Sequence, residues 1–350
     1  MKRCISKLLL LAMAVTLLTG CGSTKVNDGN KTMQENVVLT ETGEVLVKEQ
    51  PTAEPEKTKE PEKVNDISLE EQVHVQKEHI SIGDVEIDVP LAQEEIVEQE
   101  PVEATGNDLQ IVFLGDSIFD SHRDGTGIPY LTAVQCEADV YNLAIGGTSA
   151  TVEVGEQIES EKWESRSLVG VVKALKGEIT TDIFKNYNAK RVLDDPNADF
   201  SKTDYFVVEY GINDFFQAAP LDNLDATYDF TTYVGALRYA VTNLREIAPD
   251  ATIILCSPHY CQFFDGNRYI GDSNILNNGY GTLFDYKGKC LYVAKEQQTE
   301  SLDAYFDLGI DGYTAKQYLE DGIHLTAEGR QLYADTLAKK ILKLEETKNN

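Results

Sequence analysis

Residues 109–117, Leu-Gln-Ile-Val-Phe-Leu-Gly-Asp-Ser, constrain the fold more than any other stretch of this chain. Such a run leaves almost no polar face, which is the pattern of a strand covered on both sides, as in a parallel sheet. It stops at Gly115-Asp116-Ser117, so a serine stands at the carboxyl edge, where open α/β sheets place their ligands. Alone, that tripeptide is an ordinary polar strand-to-loop turn. It becomes chemistry only if a base and an oxyanion site reach Ser117.

The rest of the chain repeats the pattern. Strands are expected at 139–145, 203–210, 251–255 and 301–307. Helical periodicity lies between them, over 129–137, 167–175, 228–247 and 286–298, and a long amphipathic helix over 327–344 closes the chain. Strands alternating with helices imply a parallel sheet flanked on both faces. The expectation is an α/β protein: a three-layer α/β/α sandwich with a five-stranded parallel sheet, over residues 107–350.

The first 106 residues read differently. Met1-Lys2-Arg3 and Lys7 precede an apolar run, Leu8 to Leu18, too short to span a membrane comfortably. This fits a secretory signal peptide over residues 1–21. Its end, Leu18-Thr19-Gly20-Cys21, resembles the lipobox of bacterial lipoproteins, which implies lipidation at Cys21 and a chain anchored on the extracytoplasmic face of the membrane. Residues 22–106 are rich in Glu, Lys, Pro and Thr, with an imperfect Glu-Pro repeat near Pro55 and Pro61. Low hydrophobicity with high charge predicts a disordered tether, reaching roughly 50 Å as a flexible coil. Within it, Ile80, Ile82, Val85, Ile87 and Val89 alternate around Gly83-Asp84. That pattern suits either a small hairpin or a tail with scattered aliphatics. His74 and His79 receive no role.

The net charge of −28 argues against nucleic acid as a partner, because phosphate binding needs clustered Lys and Arg. The five histidines are scattered, with no His-x-x-x-His and no Cys-x-x-Cys, so no metal or other cofactor is expected.

Four strand ends or helix entries carry small polar signatures. They are Gly115-Asp116-Ser117, Asn142 through Gly146-Gly147, Gly211-Ile212-Asn213-Asp214, and Asp321-Gly322-Ile323-His324. Each occurs by chance in many chains. All four in this order resemble the SGNH (GDSL-type) hydrolase family over about residues 108–345, which implies its flavodoxin-like fold and a serine esterase. No Gly-x-Ser-x-Gly elbow is present, which disfavours the ordinary α/β-hydrolase arrangement. The resemblance makes Ser117 the nucleophile, His324 its base and Asp321 the partner of His324. It places the oxyanion donors at the backbone N–H of Ser117, the backbone N–H of Gly147 and the side-chain amide of Asn213. Gly147 is preferred to Gly146 because the family's glycine lies five residues after the asparagine matched by Asn142.

The chemistry is consistent with those types. A serine hydroxyl needs a base to take its proton. Asp321, three residues before His324, can reach the imidazole on a turn and orient it. Of the cysteines that remain after maturation, Cys136, Cys256, Cys261 and Cys290 allow three pairings; a Cys261–Cys290 bridge is weakly favoured and Cys256 reads as a buried strand end. His122, Arg123 and Asp124, just after the nucleophile, are candidate substrate contacts. The aromatic loop from Ser257 to Tyr269 is a candidate substrate wall or self-packed lid, and Trp163 is core or sugar platform. The expected function is a cell-surface esterase hydrolysing short-chain acyl esters, such as O-acetyl groups, on carbohydrate. The alternatives are a lipid or lysophospholipid esterase, a polysaccharide O-acyltransferase, and a catalytically silent surface-binding protein.

Overall fold

A computed structural model describes residues 77–82, 85–90, 109–152 and 165–348, all within the unit Glu70–Asn350. The signal segment, Cys21, most of the expected tether and Trp163 lie outside the described residues. The alternating aliphatics at 80–89 do form a hairpin: β1 (Lys77–Ile82) pairs antiparallel with β2 (Val85–Pro90).

The main sheet follows from the apolar runs. β3 (Leu109–Gly115) is buried from Ile111 onward and leads into the short α1 (Ser117–Asp120). Then come α2 (Ile128–Cys136), β4 (Ala138–Asn142), α3 (Leu168–Leu175), α4 (Asn188–Leu193) and β5 (Tyr205–Glu209), which is buried throughout. α5 (Ile212–Phe216), α6 (Tyr233–Ile247) and β6 (Thr252–Cys256) follow. A second hairpin, β7 (Gln262–Asp265) and β8 (Arg268–Asp272), precedes α7 (Leu283–Gln297) and β9 (Glu300–Leu302). The chain closes with α8 (Ala304–Asp307), α9 (Ala315–Tyr318) and α10 (Ala327–Lys348).

The five long-range strands are all parallel, in the order β4-β3-β5-β6-β9. β3 leads outward to β4 on one side and the chain then returns to β5 on the other. The carboxyl end of β3 is therefore a topological switch point, the place where such sheets open a crevice. Register makes the edge flush: Gly115 pairs with Glu209, and Glu209 with Cys256. Whatever follows these residues emerges side by side. α2 packs on α10, while α3, α6 and α7 pack on one another in a row, giving the expected three layers. β2 runs against β7, so part of the stretch expected as tether lies on the domain.

Three sequence expectations are corrected. The aromatic loop after β6 holds the β7–β8 hairpin, with a register irregularity at Phe263/Phe264. The fifth strand does not run to residue 307: the Asp303 side chain accepts from Phe306 N–H and starts a helix instead. No disulfide forms. Cys136, Cys256, Cys261 and Cys290 are all free and buried. The physical reason is that their thiols face separate partners. Cys261 sits beside the His259 carbonyl and ring, Cys136 points at the Ala338 carbonyl, and Cys290 meets Tyr233. Burial holds the Cys136 and Cys290 thiols up at about 11 and about 12.

Phe113 ties the strand that leads to Ser117 to the terminal helix. Its ring meets Phe119 edge-on at 5.3 Å, and Phe119 meets Tyr333 of α10 at 5.7 Å. Phe113 is fully buried, so Phe113→Ala is expected to lower unfolding free energy by about 3–5 kcal/mol. Chemical denaturation checks this; a loss below about 1 kcal/mol would show that the contact is dispensable.

Candidate active site

The end of β3 sets the first group in place. Asp116 turns its Oδ1 to accept from Ile118 N–H at 3.0 Å, which caps α1 and puts Ser117 at its first position. At that position the Ser117 N–H has no intrahelical partner. It also has no hydrogen-bond partner among the described residues.

The second and third groups come from the turn before α10. His324 Nε2 lies 2.9 Å from Ser117 Oγ, and His324 Nδ1 lies 2.7 Å from Asp321 Oδ2. The other oxygen of Asp321 accepts from the backbone N–H of Ile323 at 2.9 Å and of His324 at 2.8 Å. The turn is anchored from outside. Gln262 N–H donates to Gly322 O at 2.8 Å, and the fully buried His259 donates Nε2–H to Ile323 O at 2.8 Å. Burial pushes His259 down to about 4, so it is neutral near pH 7. Gly322 has φ of +94°, and a Cβ there would come within 2.3 Å of Gln262 O, so only glycine fits. Buried Arg330 joins the two halves of the site, donating to Leu325 O at 2.8 Å and to Thr126 O at 3.0 Å.

The electrostatics of the pair follow from these contacts. Burial works against a charged imidazole, but the hydrogen bond and charge of Asp321 more than offset it, and His324 is held above its usual value. For Asp321 burial also opposes the charge. The His324 contact and the two backbone N–H groups prevail and hold it at about 2.

The expected oxyanion donors converge unevenly. Gly147 follows β4 with φ of +73°, is exposed, and its N–H has no partner among the described residues. The neighbouring Gly146 N–H is taken by Asp120 Oδ2 at 2.7 Å, which leaves Gly147 as the available donor of the two. Asn213, in α5, is engaged: its Nδ2 donates to Asp116 Oδ2 at 3.1 Å and to Thr148 O at 3.0 Å. Its neighbour Asp214 accepts from Ala150 N–H and Thr151 N–H, at 2.9 and 3.0 Å, and pins the loop after Gly147.

Sequence reasoning missed the layer beneath. Glu209 is fully buried, and no donor reaches its carboxyl oxygens. Burial and the charge of Asp116 beside it push Glu209 well above the carboxylate range. Burial likewise lifts Asp116 to about 6, against the pull of the Ile118 N–H. Arg123, expected as a substrate contact, turns inward: it donates to Asp120 at 2.5 Å, to Asn142 O at 3.0 Å and to Ala144 O at 2.6 Å. His122 lies between this loop and the turn, with burial and nearby Arg330 lowering its affinity for a proton. No sequence signal separates these charges from ordinary surface residues.

The family model for the GDSL-like lipase/acylhydrolase family matches residues 113–332, and the chain belongs to that family. It is an ester-hydrolysing enzyme of the SGNH class. One curated relative, the isoamyl acetate-hydrolyzing esterase 1 homolog of Bos taurus, is 24% identical over 226 residues, covering 63% of this chain and 77% of its own. Among solved structures, the chain is similar to a possible lipase from Chitinophaga pinensis, at 19% identity over 68% of this chain and 99% of that one, with a TM-score of 0.48. It is also similar to the carbohydrate acetylesterase Est24 from Sinorhizobium meliloti, at 12% identity over 67% and 99%, with a TM-score of 0.41.

The Asp321–His324 contact makes a direct prediction. A carboxylate on Nδ1 favours the imidazolium, so His324 should titrate above 6.5 by NMR. In Asp321→Asn the charge is gone while burial remains, and the midpoint should fall below that of the wild type. An unmoved midpoint would show that Asp321 does not act on the ring.

Proposed function

We propose that this enzyme is a serine esterase that removes short acyl groups, acetyl foremost, from carbohydrate by a Ser117-His324-Asp321 mechanism. The observation that carries the mechanism is the continuous contact from Asp321 through His324 to Ser117, at 2.7 and 2.9 Å. Neutral His324 takes the Ser117 proton as Oγ attacks the ester carbonyl. The imidazolium formed is stabilised by Asp321, which stays ionised. The oxyanion is held by Ser117 N–H, Gly147 N–H and the side chain of Asn213, which shares toward it the N–H now on Asp116. His324 then protonates the leaving sugar oxygen, and a water activated by the same imidazole releases the acid.

Two observations support the substrate class. The name of the curated relative specifies an acetate ester, which favours a short acyl group. A cleft of about 740 Å³ opens between the outer edge of β4 and α4, and its lining includes Tyr130, Tyr141 and Tyr187 together with His122 of the loop after Ser117 and Asn188 of α4, while Ser117, Asp321 and His324 are not part of it. Aromatic faces beside polar groups suit the apolar and hydroxyl faces of a sugar ring. A lipid anchor at Cys21 would hold the enzyme on the extracytoplasmic face, within reach of surface polysaccharide; Cys21→Ala should then lose labelled-palmitate incorporation.

Acetate release from a panel of acetylated glycans, with 4-nitrophenyl acetate and a lysophospholipid alongside, tests the substrate. Faster turnover of the glycans supports this reading; lysophospholipid as the better substrate would replace it with a lipid esterase. Transfer of acetyl to added sugar, in excess of release, would make it an acyltransferase. Asn213→Ala tests the mechanism. It should lower kcat on the small ester by about a hundredfold or more with KM nearly unchanged. A rise in KM alone would make Asn213 a substrate contact instead.

A further inference from the structure

The helix that carries Ser117 also carries Asp120, and that carboxylate uses both oxygens. Oδ2 accepts from Gly146 N–H at 2.7 Å, while Oδ1 accepts from Arg123 Nε at 2.5 Å. Arg123 in turn spends its two terminal nitrogens on the carbonyls of Asn142 and Ala144, at 3.0 and 2.6 Å. Its side chain is only 9% exposed, so the guanidinium is enclosed by these acceptors instead of facing substrate. Asn142 closes the circuit, donating to Phe119 O at 2.8 Å and accepting from Ala144 N–H at 3.0 Å. The segment from Asn142 to Gly146 is thereby fixed to the nucleophile's own helix at several points. Gly147 is the next residue. Its peptide N–H has no partner among the described residues, and its left-handed conformation turns the chain there.

We propose that Asp120 and Arg123 are positioning residues of the oxyanion site, fixing the Gly146–Gly147 peptide so that the Gly147 N–H stands ready beside Ser117. The inference rests on the mechanism proposed above. The arrangement has a clear physical use. A donor aimed before the reaction costs no reorganisation when charge develops, and small displacements of such groups are expensive in rate. Asp116 does the same on the other side of Ser117, where its Oδ2 receives the Asn213 amide at 3.1 Å. Two carboxylates flanking the nucleophile thus set the two donors that the nucleophile does not supply itself. The chemistry explains the residue types. Only a carboxylate offers one oxygen to a backbone N–H and the other to a cation. A guanidinium reaches that carboxylate and two carbonyls with a rigid planar fork, whereas the three donors of an ammonium leave from a single point.

The test uses the near-isosteric variants Asp120→Asn and Arg123→Lys in the full chain, with Ser117→Ala as a control and active-site titration to count competent enzyme. On 4-nitrophenyl acetate, kcat per active site should fall about tenfold to a hundredfold in each variant, with KM within about twofold of wild type. The affinity for an alkylboronic acid, whose tetrahedral serine adduct fills the oxyanion site, should fall by a similar factor. Asp120→Asn is expected to be affected because its NH2 must face either the Arg123 Nε–H or the Gly146 N–H, both donors. Wild-type kcat and wild-type boronate affinity in both variants would overturn the proposal. So would a loss expressed only as a lower fraction of active sites, which marks a purely structural role. If Ser117→Ala retained full activity, the mechanism itself would be wrong; if it is inactive while both variants match wild type, only the positioning role fails.

Discussion

A hydroxyl and an imidazole separated by 207 residues stand 2.9 Å apart, and the domain is built to hold them there. The hydroxyl is delivered by a buried strand in the middle of the sheet, the imidazole by a turn at the head of the last helix. Neither element would suffice without the other's packing. Phe119, two residues past the serine, lies between Phe113 of β3 and Tyr333 of α10. Arg330 of α10 reaches across to Thr126 in the loop that follows the serine, and back to Leu325 just after the histidine. The two halves are therefore joined both through the apolar core and by a buried charge-assisted link, and a shift of α10 along the sheet would break the contact.

Polar groups beneath the site do a second job. Asp116, Asp120, Asp214 and Asp321 each accept backbone N–H groups from loops that carry site residues. A loop edge has unpaired peptide groups, and a buried carboxylate can gather several of them. The acidic clustering this requires has a consequence. Glu209 lies beside Asp116 with no donor in reach, and burial together with the charge of Asp116 favours its protonated form. His259, neutral and fully buried, plays the matching part under the Asp321–His324 turn.

Much of this was legible in the residues. The apolar runs located four of the five strands within a few positions, because parallel strands covered on both faces have no alternation to obscure them. Ser117 and Asn213 stood out in small polar signatures at strand ends, Asp321 and His324 in one at a helix entry, and the order of these signatures carried the resemblance that gave them roles. What was hidden has physical causes. Asp303 could not be told from a strand residue until its cap to Phe306 was seen. The β7–β8 hairpin is short and irregular, with Phe263 and Phe264 breaking the expected alternation. Four cysteines in one domain suggested bridges, but pairing depends on thiol separation, which sequence does not carry. Asp120 and Arg123 look like a simple pair three residues apart; the Gly146 and Ala144 groups they hold come from the loop after β4.

The central claim is that Ser117 becomes acylated and that His324 drives both halves of the reaction. Mixing the enzyme with excess 4-nitrophenyl acetate, quenching in acid within one turnover and mapping the peptides by mass spectrometry tests it most directly. The account predicts one acetyl group on the peptide containing Ser117, at Ser117 itself, and none in His324→Ala on the same timescale. Steady hydrolysis by Ser117→Ala, or acetyl captured on another residue in step with turnover, would contradict it.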